Sequence, residues 1–88
     1  MSLPVVDAGK ATNITGTGAV CAGPCQLIGF YVNSTTAGTL VITDGAVAVS
    51  GTITPVIGFH RYPATIGTSL TATITNTLNV TFFFASAN

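Results

Sequence analysis

Few side chains in this sequence could take part in catalysis. His60 is the only histidine, and the only acidic side chains are those of Asp7 and Asp44. A serine hydrolase needs a nucleophile, a base and an orienting carboxylate within hydrogen-bonding reach, and no serine here lies in a nucleophile-elbow motif. A glycosidase needs two carboxylates that face each other across the substrate, but Asp7 falls in a short N-terminal segment. We therefore expect no catalytic residues and no enzyme activity.

The two cysteines, Cys21 and Cys25, are separated by Ala-Gly-Pro. This spacing differs from the Cys-x-x-Cys of zinc and redox motifs, and a single histidine without a carboxylate cluster offers too few further ligands. Two interpretations stay open. The cysteines are either small, half-buried side chains that flank a Gly-Pro turn, or they form a local disulfide that closes a very short loop and adds little stability. We expect no metal and no cofactor.

Ionic character is nearly absent from the chain. Its 88 residues include two basic and two acidic side chains, so that 5% of the residues are charged and the net charge is zero, against about 25% charged residues in an ordinary soluble domain. A neutral chain has no electrostatic attraction to nucleic acid or to an anionic membrane, and neither partner is expected. Because small domains with a net charge near zero tend to associate, the composition predicts a surface that is covered in an assembly.

Threonine, valine and isoleucine dominate the sequence, and these β-branched residues favour strands. Apolar residues alternate with polar ones, and glycine or proline interrupts the chain at the spacing typical of sandwiches and barrels. We predict an all-β fold, a compact antiparallel β-sandwich or jelly-roll-like barrel of about seven or eight short strands with no significant helix. Residues 1–10 are predicted to form an N-terminal arm, and residues 11–88 a single β domain.

The turn signals divide the predicted domain into short strands. Strands are expected at residues 12–15, 19–21, 26–33, 39–43, 46–50, 69–75 and 80–85. Turns are expected at residues 34–38, at Asp44-Gly45 and at residues 76–79, where the last two strands would form a hairpin. Residues 51–58 are interrupted by Pro55 and are expected to be an edge or a bulge.

Four residues are candidates for an interface. His60, Arg61 and Tyr62 are consecutive in a segment that we expect to be a loop, and Arg and Tyr are enriched at binding hot spots. The alternative is that Arg61 is a solvated charge and that Tyr62-Pro63 caps the core. Phe83 lies between Phe82 and Phe84, so the two-residue period of a strand places it on the opposite face from its neighbours. If Phe82 and Phe84 fill the core, Phe83 is exposed and marks an interface; the alternative is a strand covered on both faces.

Four segments of the chain follow one another in a characteristic order. Residues 23–34 read G-x-x-x-L-x-G-x-x-V-N-S, residues 38–45 begin with G-T-hydrophobic-x-I-x-D, residues 59–63 contain a proline, and residues 67–84 form a threonine-rich C-terminal block. This order, over residues 12–86, resembles a family of small tailed-bacteriophage virion proteins. The resemblance implies a capsid decoration or cement protein that stabilises the shell by contacts at subunit junctions. It implies a trimer or dimer that contacts the major capsid protein or another virion protein, made in the host cytoplasm and located in the virion.

Two other functions stay open. One is a receptor- or glycan-binding module at the tip of a phage tail or head fibre, which usually needs clustered aromatic residues with amides or carboxylates nearby. The other is a fibre-forming subunit that adds strands to its neighbours. Residues 1–7 lack the basic and apolar regions of a secretory signal, so we expect that the protein is made in a cytoplasm or that its signal has been removed. No run approaches the roughly 18 apolar residues of a membrane helix, so we expect no membrane-spanning helix.

Overall fold

The computed structural model describes residues 10–86. Six strands follow one another: β1 (Lys10–Ile14), β2 (Gly18–Cys21), β3 (Cys25–Asp44), β4 (Val47–Ala48), β5 (Gly58–Ile66) and β6 (Leu70–Ser86). Every pairing between them is antiparallel, which confirms the predicted all-β class. Within these residues, no helix is long and apolar enough to cross a bilayer.

A ribbon of two long strands forms the centre of the fold. β3 pairs with β6 along nearly its whole length, from Cys25 opposite Ser86 to Asp44 opposite Leu70. A straight strand of the 20 residues in β3 would span roughly 66 Å, whereas the longest dimension of the molecule is 45 Å. The ribbon is therefore bent.

The bend lies where both strands contain a residue with positive φ. Ala37 has a φ of 54° and Asn76 a φ of 65°, and the Asn76 side-chain amide donates a 2.8 Å hydrogen bond to the carbonyl of Ala37. The Thr35 hydroxyl accepts the backbone N–H of Gly38 at 3.1 Å. A Cβ at Gly38 would lie 2.5 Å from the carbonyl oxygen of Thr77, so the two strands can approach this closely only at a glycine. We call this region the ribbon corner.

The ribbon corner divides the strands into two layers. In the first sheet, β1 and β5 flank the ribbon, in the order β1-β6-β3-β5. In the second sheet, β2 and β4 flank the other half of the ribbon, in the order β2-β6-β3-β4. Because β3 and β6 each contribute a segment to both layers, the six strands act as eight segments of a sandwich-like fold, which agrees with the predicted strand number.

One apolar core fills the space between the layers. Phe30 and Phe82 lie opposite each other on the inner face of the first sheet, with ring centroids 5.6 Å apart. Leu40 and Ile42 face them from the second sheet, and both are fully buried. The other core residues are Val20, Cys21, Cys25, Leu27, Val32, Ile66, Leu70, Ala72, Leu78, Val80 and Phe84.

Two of the predicted turns are wrong. Residues 34–38 and 76–79 do not reverse the chain, because each segment belongs to one continuous strand. The predicted C-terminal hairpin is therefore absent among residues 10–86: residues 70–75 and residues 80–84 both pair with β3 instead. At the bend, Thr36 and Ala37 both lie opposite Thr77, and such a β-bulge bends a strand without reversing it.

The predicted loop at residues 59–63 is also wrong, because it lies inside β5. β5 pairs with β3 alone among the described strands, and proline is tolerated on such an edge strand because its nitrogen needs no partner there. The Asp44-Gly45 turn is confirmed, with a Gly45 φ of 59°. Within the predicted edge or bulge at residues 51–58, Ile53 forms an isolated bridge with Leu40, and Gly58 begins β5, where it pairs with Val32.

The boundary of the predicted arm falls at the edge of the described chain. Lys10, which was assigned to the arm, is the first residue of β1 and lies opposite Phe84. Residues 1–9 and residues 87–88 lie outside the described residues.

Candidate interaction surface

Asp44 has a structural role at the end of β3. Its carboxylate accepts the backbone N–H groups of Gly67, Thr68 and Ser69 at 2.9, 2.8 and 3.3 Å. Hydrogen bonds to a carboxylate favour its ionised form, so the bonds from Gly67 and Thr68 hold the pKa of Asp44 below its ordinary value. The side chain thereby fixes the connection between β5 and β6 to the turn that follows β3.

His60 is also held by the backbone. Its Nε2 lies 2.7 Å from the carbonyl oxygen of Val56, and its ring centroid is 5.3 Å from that of the buried Phe30. In the part of the chain that the structure describes, no hydrogen bond joins His60 to Asp44 or to a serine. Over the same residues, no group of three or more His, Cys, Asp or Glu side chains is placed to hold a metal.

The two cysteines are buried free thiols. The Cys21 thiol donates to the carbonyl of Gly23 at 3.2 Å, and Cys25 is 2% exposed. Burial, with smaller contributions from Cys21 and from the charge of Asp44, raises the pKa of Cys25 to about 12. Both side chains are more deeply buried than the half-buried positions expected from the sequence, and a local disulfide between them stays a prediction.

The structure divides the predicted interface residues between two faces. His60 and Tyr62 point inward from β5, and their rings lie 5.3 and 6.5 Å from that of Phe30. Arg61, between them, is exposed and lies opposite Gly29 on β3. Phe82 and Phe84 are buried and Phe83 is half-buried on the outer face, as the alternation predicts. Arg61 and Phe83 thus share the outer side of the first sheet, whereas His60 and Tyr62 line its core.

The outer face of the first sheet carries further aromatic residues. Tyr31 and Phe59 lie opposite each other on β3 and β5 and are 42% and 52% exposed. The Phe59 ring packs against Phe83 with centroids 6.0 Å apart and extends over Gly29, where a Cβ would lie 3.0 Å from its Cζ atom. Neither Tyr31 nor Phe59 is among the interface residues predicted from the sequence. The alternation of a strand does place Tyr31 on the opposite face from the buried Phe30.

A contiguous apolar segment leads into β5. Val56, Ile57 and Phe59 are 68%, 62% and 52% exposed, and Gly58 between them has a φ of 126°, which only glycine adopts readily. We call these three residues the edge patch, because they lie at the start of an edge strand. Large apolar side chains exposed next to one another mark interaction sites.

A cluster of polar side chains lies beside the aromatic residues. The Asn13 amide donates to Asn79 Oδ1 at 2.7 Å and to Thr81 Oγ1 at 3.0 Å. The Asn33 amide donates to the same two atoms, at 3.2 and 3.0 Å. These four residues, the amide cluster, join β1, β6 and β3 across the outer face of the first sheet. Tyr31 lies opposite Thr81 in the strand register and borders the cluster.

Comparisons with known proteins found no matching family model, no matching curated protein and no matching solved structure. The function of this chain is therefore inferred from its own surfaces and from the order of its sequence motifs. The edge patch and the amide cluster are two surfaces of the described residues that offer side chains to a partner or ligand.

Proposed function

We propose that the chain is a structural component of a bacteriophage particle, a decoration or cement protein that stabilises the shell by contacts at subunit junctions. It would assemble as a trimer or dimer and contact the major capsid protein or another virion protein. The observation that carries the proposal is the edge patch on a domain with almost no charged residues. The order of the sequence motifs supports the phage context.

The edge patch suits a permanent contact. Each 100 Å² of apolar surface removed from water contributes on the order of 2.5 kcal/mol, before the cost of association is subtracted. Val56, Ile57 and Phe59 are each more than half exposed, so covering them removes mostly apolar surface. Few charged groups would have to lose water in the same step, because the whole chain has four charged side chains and burial of an unpaired charge is costly.

Low charge also suits a crowded lattice. Copies of a highly charged domain repel one another when they lie side by side, whereas threonine hydroxyls stay hydrated without repulsion. The outer positions of β6 carry such residues: Thr71, Thr73, Thr75 and Thr77. Thr73, Thr75 and Thr77 are exposed, so this surface can approach a neighbour closely without unpaired charges.

The proposal is tested on purified particles of the phage that encodes the chain. Quantitative mass spectrometry should find the chain in a fixed ratio to the major capsid protein. Ile57→Ser in the edge patch should lower that ratio, whereas Val47→Ser should not, because Val47 is 69% exposed on β4 in the other sheet. Absence of the chain from the particles, or full occupancy by the Ile57→Ser variant, would contradict the proposal.

A further inference from the structure

We infer that the amide cluster, together with Tyr31, is a binding site for a neutral saccharide. This inference does not depend on the proposed structural role, because it rests on different residues from the edge patch. It starts from the hydrogen-bonding groups that the cluster leaves unused.

The internal hydrogen bonds of the cluster run in one direction. Asn79 Oδ1 and Thr81 Oγ1 both accept from the Asn13 and Asn33 amides. An asparagine has an amide group with two donors and an oxygen that accepts. Among residues 10–86, three amide groups therefore keep their hydrogen-bonding capacity: the Nδ2 of Asn79 and the Oδ1 atoms of Asn13 and Asn33. The Thr81 hydroxyl, which accepts from both amides, keeps its O–H donor. The cluster thus offers two donor groups and two acceptors.

This arrangement fits adjacent hydroxyl groups. A hydroxyl donates one hydrogen bond and accepts others, so one hydroxyl of a sugar can accept from Asn79 while it or its neighbour donates to Asn13 or Asn33. Asn13 and Asn33 are exposed and Asn79 is half-buried, so the three groups are accessible from solvent. A peptide strand would instead pair with backbone groups at a sheet edge, not with side-chain amides on its face.

The cluster is already ordered before a ligand arrives. Each of its amides is held across strands that are themselves paired, since Asn13 lies opposite Thr81 in the sheet. Side chains that are fixed before binding lose less conformational entropy when a ligand binds. A site on paired strands therefore offers more affinity per hydrogen bond than the same amides on a loop.

Tyr31 supplies an apolar surface beside these groups. It is 42% exposed and lies opposite Thr81 on the neighbouring strand. The C–H groups of a pyranose ring carry partial positive charge, and the face of an aromatic ring is negative, so the two surfaces attract. The cluster and Tyr31 contain no basic and no carboxylate side chain, which favours an uncharged saccharide over an anionic one.

The test uses the whole protein labelled with ¹⁵N and three probe sugars: maltose, cellobiose and N,N′-diacetylchitobiose. At least one probe should produce saturable shifts in the side-chain amide signals of Asn13, Asn33 and Asn79. Asn79→Asp should weaken that binding about tenfold, which corresponds to about 1.4 kcal/mol. This variant keeps an oxygen that accepts from Asn13 and Asn33 but removes the free amide donor at position 79, so a purely structural role predicts an unchanged fold and no effect on the titration.

Ile57→Ser separates this inference from the proposed function. It changes the edge patch alone, so it should leave the sugar titration unchanged even where it abolishes particle binding. Three results would overturn the inference: no saturable shift with any probe and no binding on an array of neutral glycans; equal affinity in the Asn79→Asp variant; or binding limited to anionic glycans. If the cluster signals shift only with protein concentration, the face contacts a second copy, and the inference also fails.

Discussion

The ribbon corner gives the sharpest stability prediction, through the substitution Gly38→Ala. A Cβ at Gly38 would lie 2.5 Å from the carbonyl oxygen of Thr77, 2.8 Å from the Cβ of Leu78 and 2.9 Å from the hydroxyl of Thr35. Two of these neighbours belong to β6, whose position is fixed by pairing with β3. The added methyl group therefore forces the two strands apart at the bend.

The expected cost follows from this crowding. Overpacking by one methyl group costs about 1–3 kcal/mol, and contact with a backbone oxygen places Gly38→Ala toward the upper end. Alanine also reduces the entropy of the unfolded chain, which offsets about 0.4–1 kcal/mol. We expect a net loss of about 2 kcal/mol, or a fall in Tm of about 8–16 °C for a domain of this size.

Gly51→Ala is the matched control. A Cβ at Gly51 meets nothing within 4 Å, and the residue has no positive φ, so this substitution should be neutral or slightly stabilising. Urea unfolding of both variants, followed by circular dichroism at one fixed protein concentration, compares their free energies of unfolding. If Gly38→Ala and Gly51→Ala agree within about 0.5 kcal/mol, the account of the ribbon corner is wrong.

Three further outcomes follow from the core and from the titrating groups. Phe82→Ala should lower the free energy of unfolding by about 3–5 kcal/mol, since Phe82 is fully buried. A loss below about 1 kcal/mol in a denaturant titration would contradict the packing of Phe82 in the core. The lowered pKa of Asp44 means that its hydrogen bonds stabilise the fold above the ordinary pKa of about 3.9. This contribution is lost as the pH falls through the lower folded value, so Asp44→Asn should flatten the acid side of a stability–pH curve; an unchanged curve would refute this. The Cys25 thiol, with a pKa of about 12, should react far more slowly with iodoacetamide at pH 8 in folded protein than in urea, and equal rates would show that it is not buried.

The local strand signals in the sequence were sufficient to predict the fold class. Alternation placed Phe82 and Phe84 in the core and Phe83 outside, and Asp44-Gly45 was identified as a turn. The connectivity was not predictable in the same way. Residues 34–38 and 76–79 contain turn-forming residues, yet whether they reverse or bend a strand depends on long-range pairing between β3 and β6.

The candidate surfaces were harder to predict than the core. His60, Arg61 and Tyr62 are consecutive, but they lie in the strand β5 rather than in the predicted loop, and consecutive residues of a strand point to opposite faces. The amide cluster brings together Asn13 and Asn79, which are 66 positions apart. Such a group becomes visible only when the register of three strands is known.

The central claim is that this nearly uncharged domain covers its edge patch in an assembly, and the mass of the protein in solution tests it most directly. Sedimentation velocity over a range of concentrations should find a species of two or three times the 8.8 kDa chain, and Ile57→Ser should shift it toward the single chain. A wild-type protein that stays at 8.8 kDa at the highest concentration, and remains soluble there, would contradict the account.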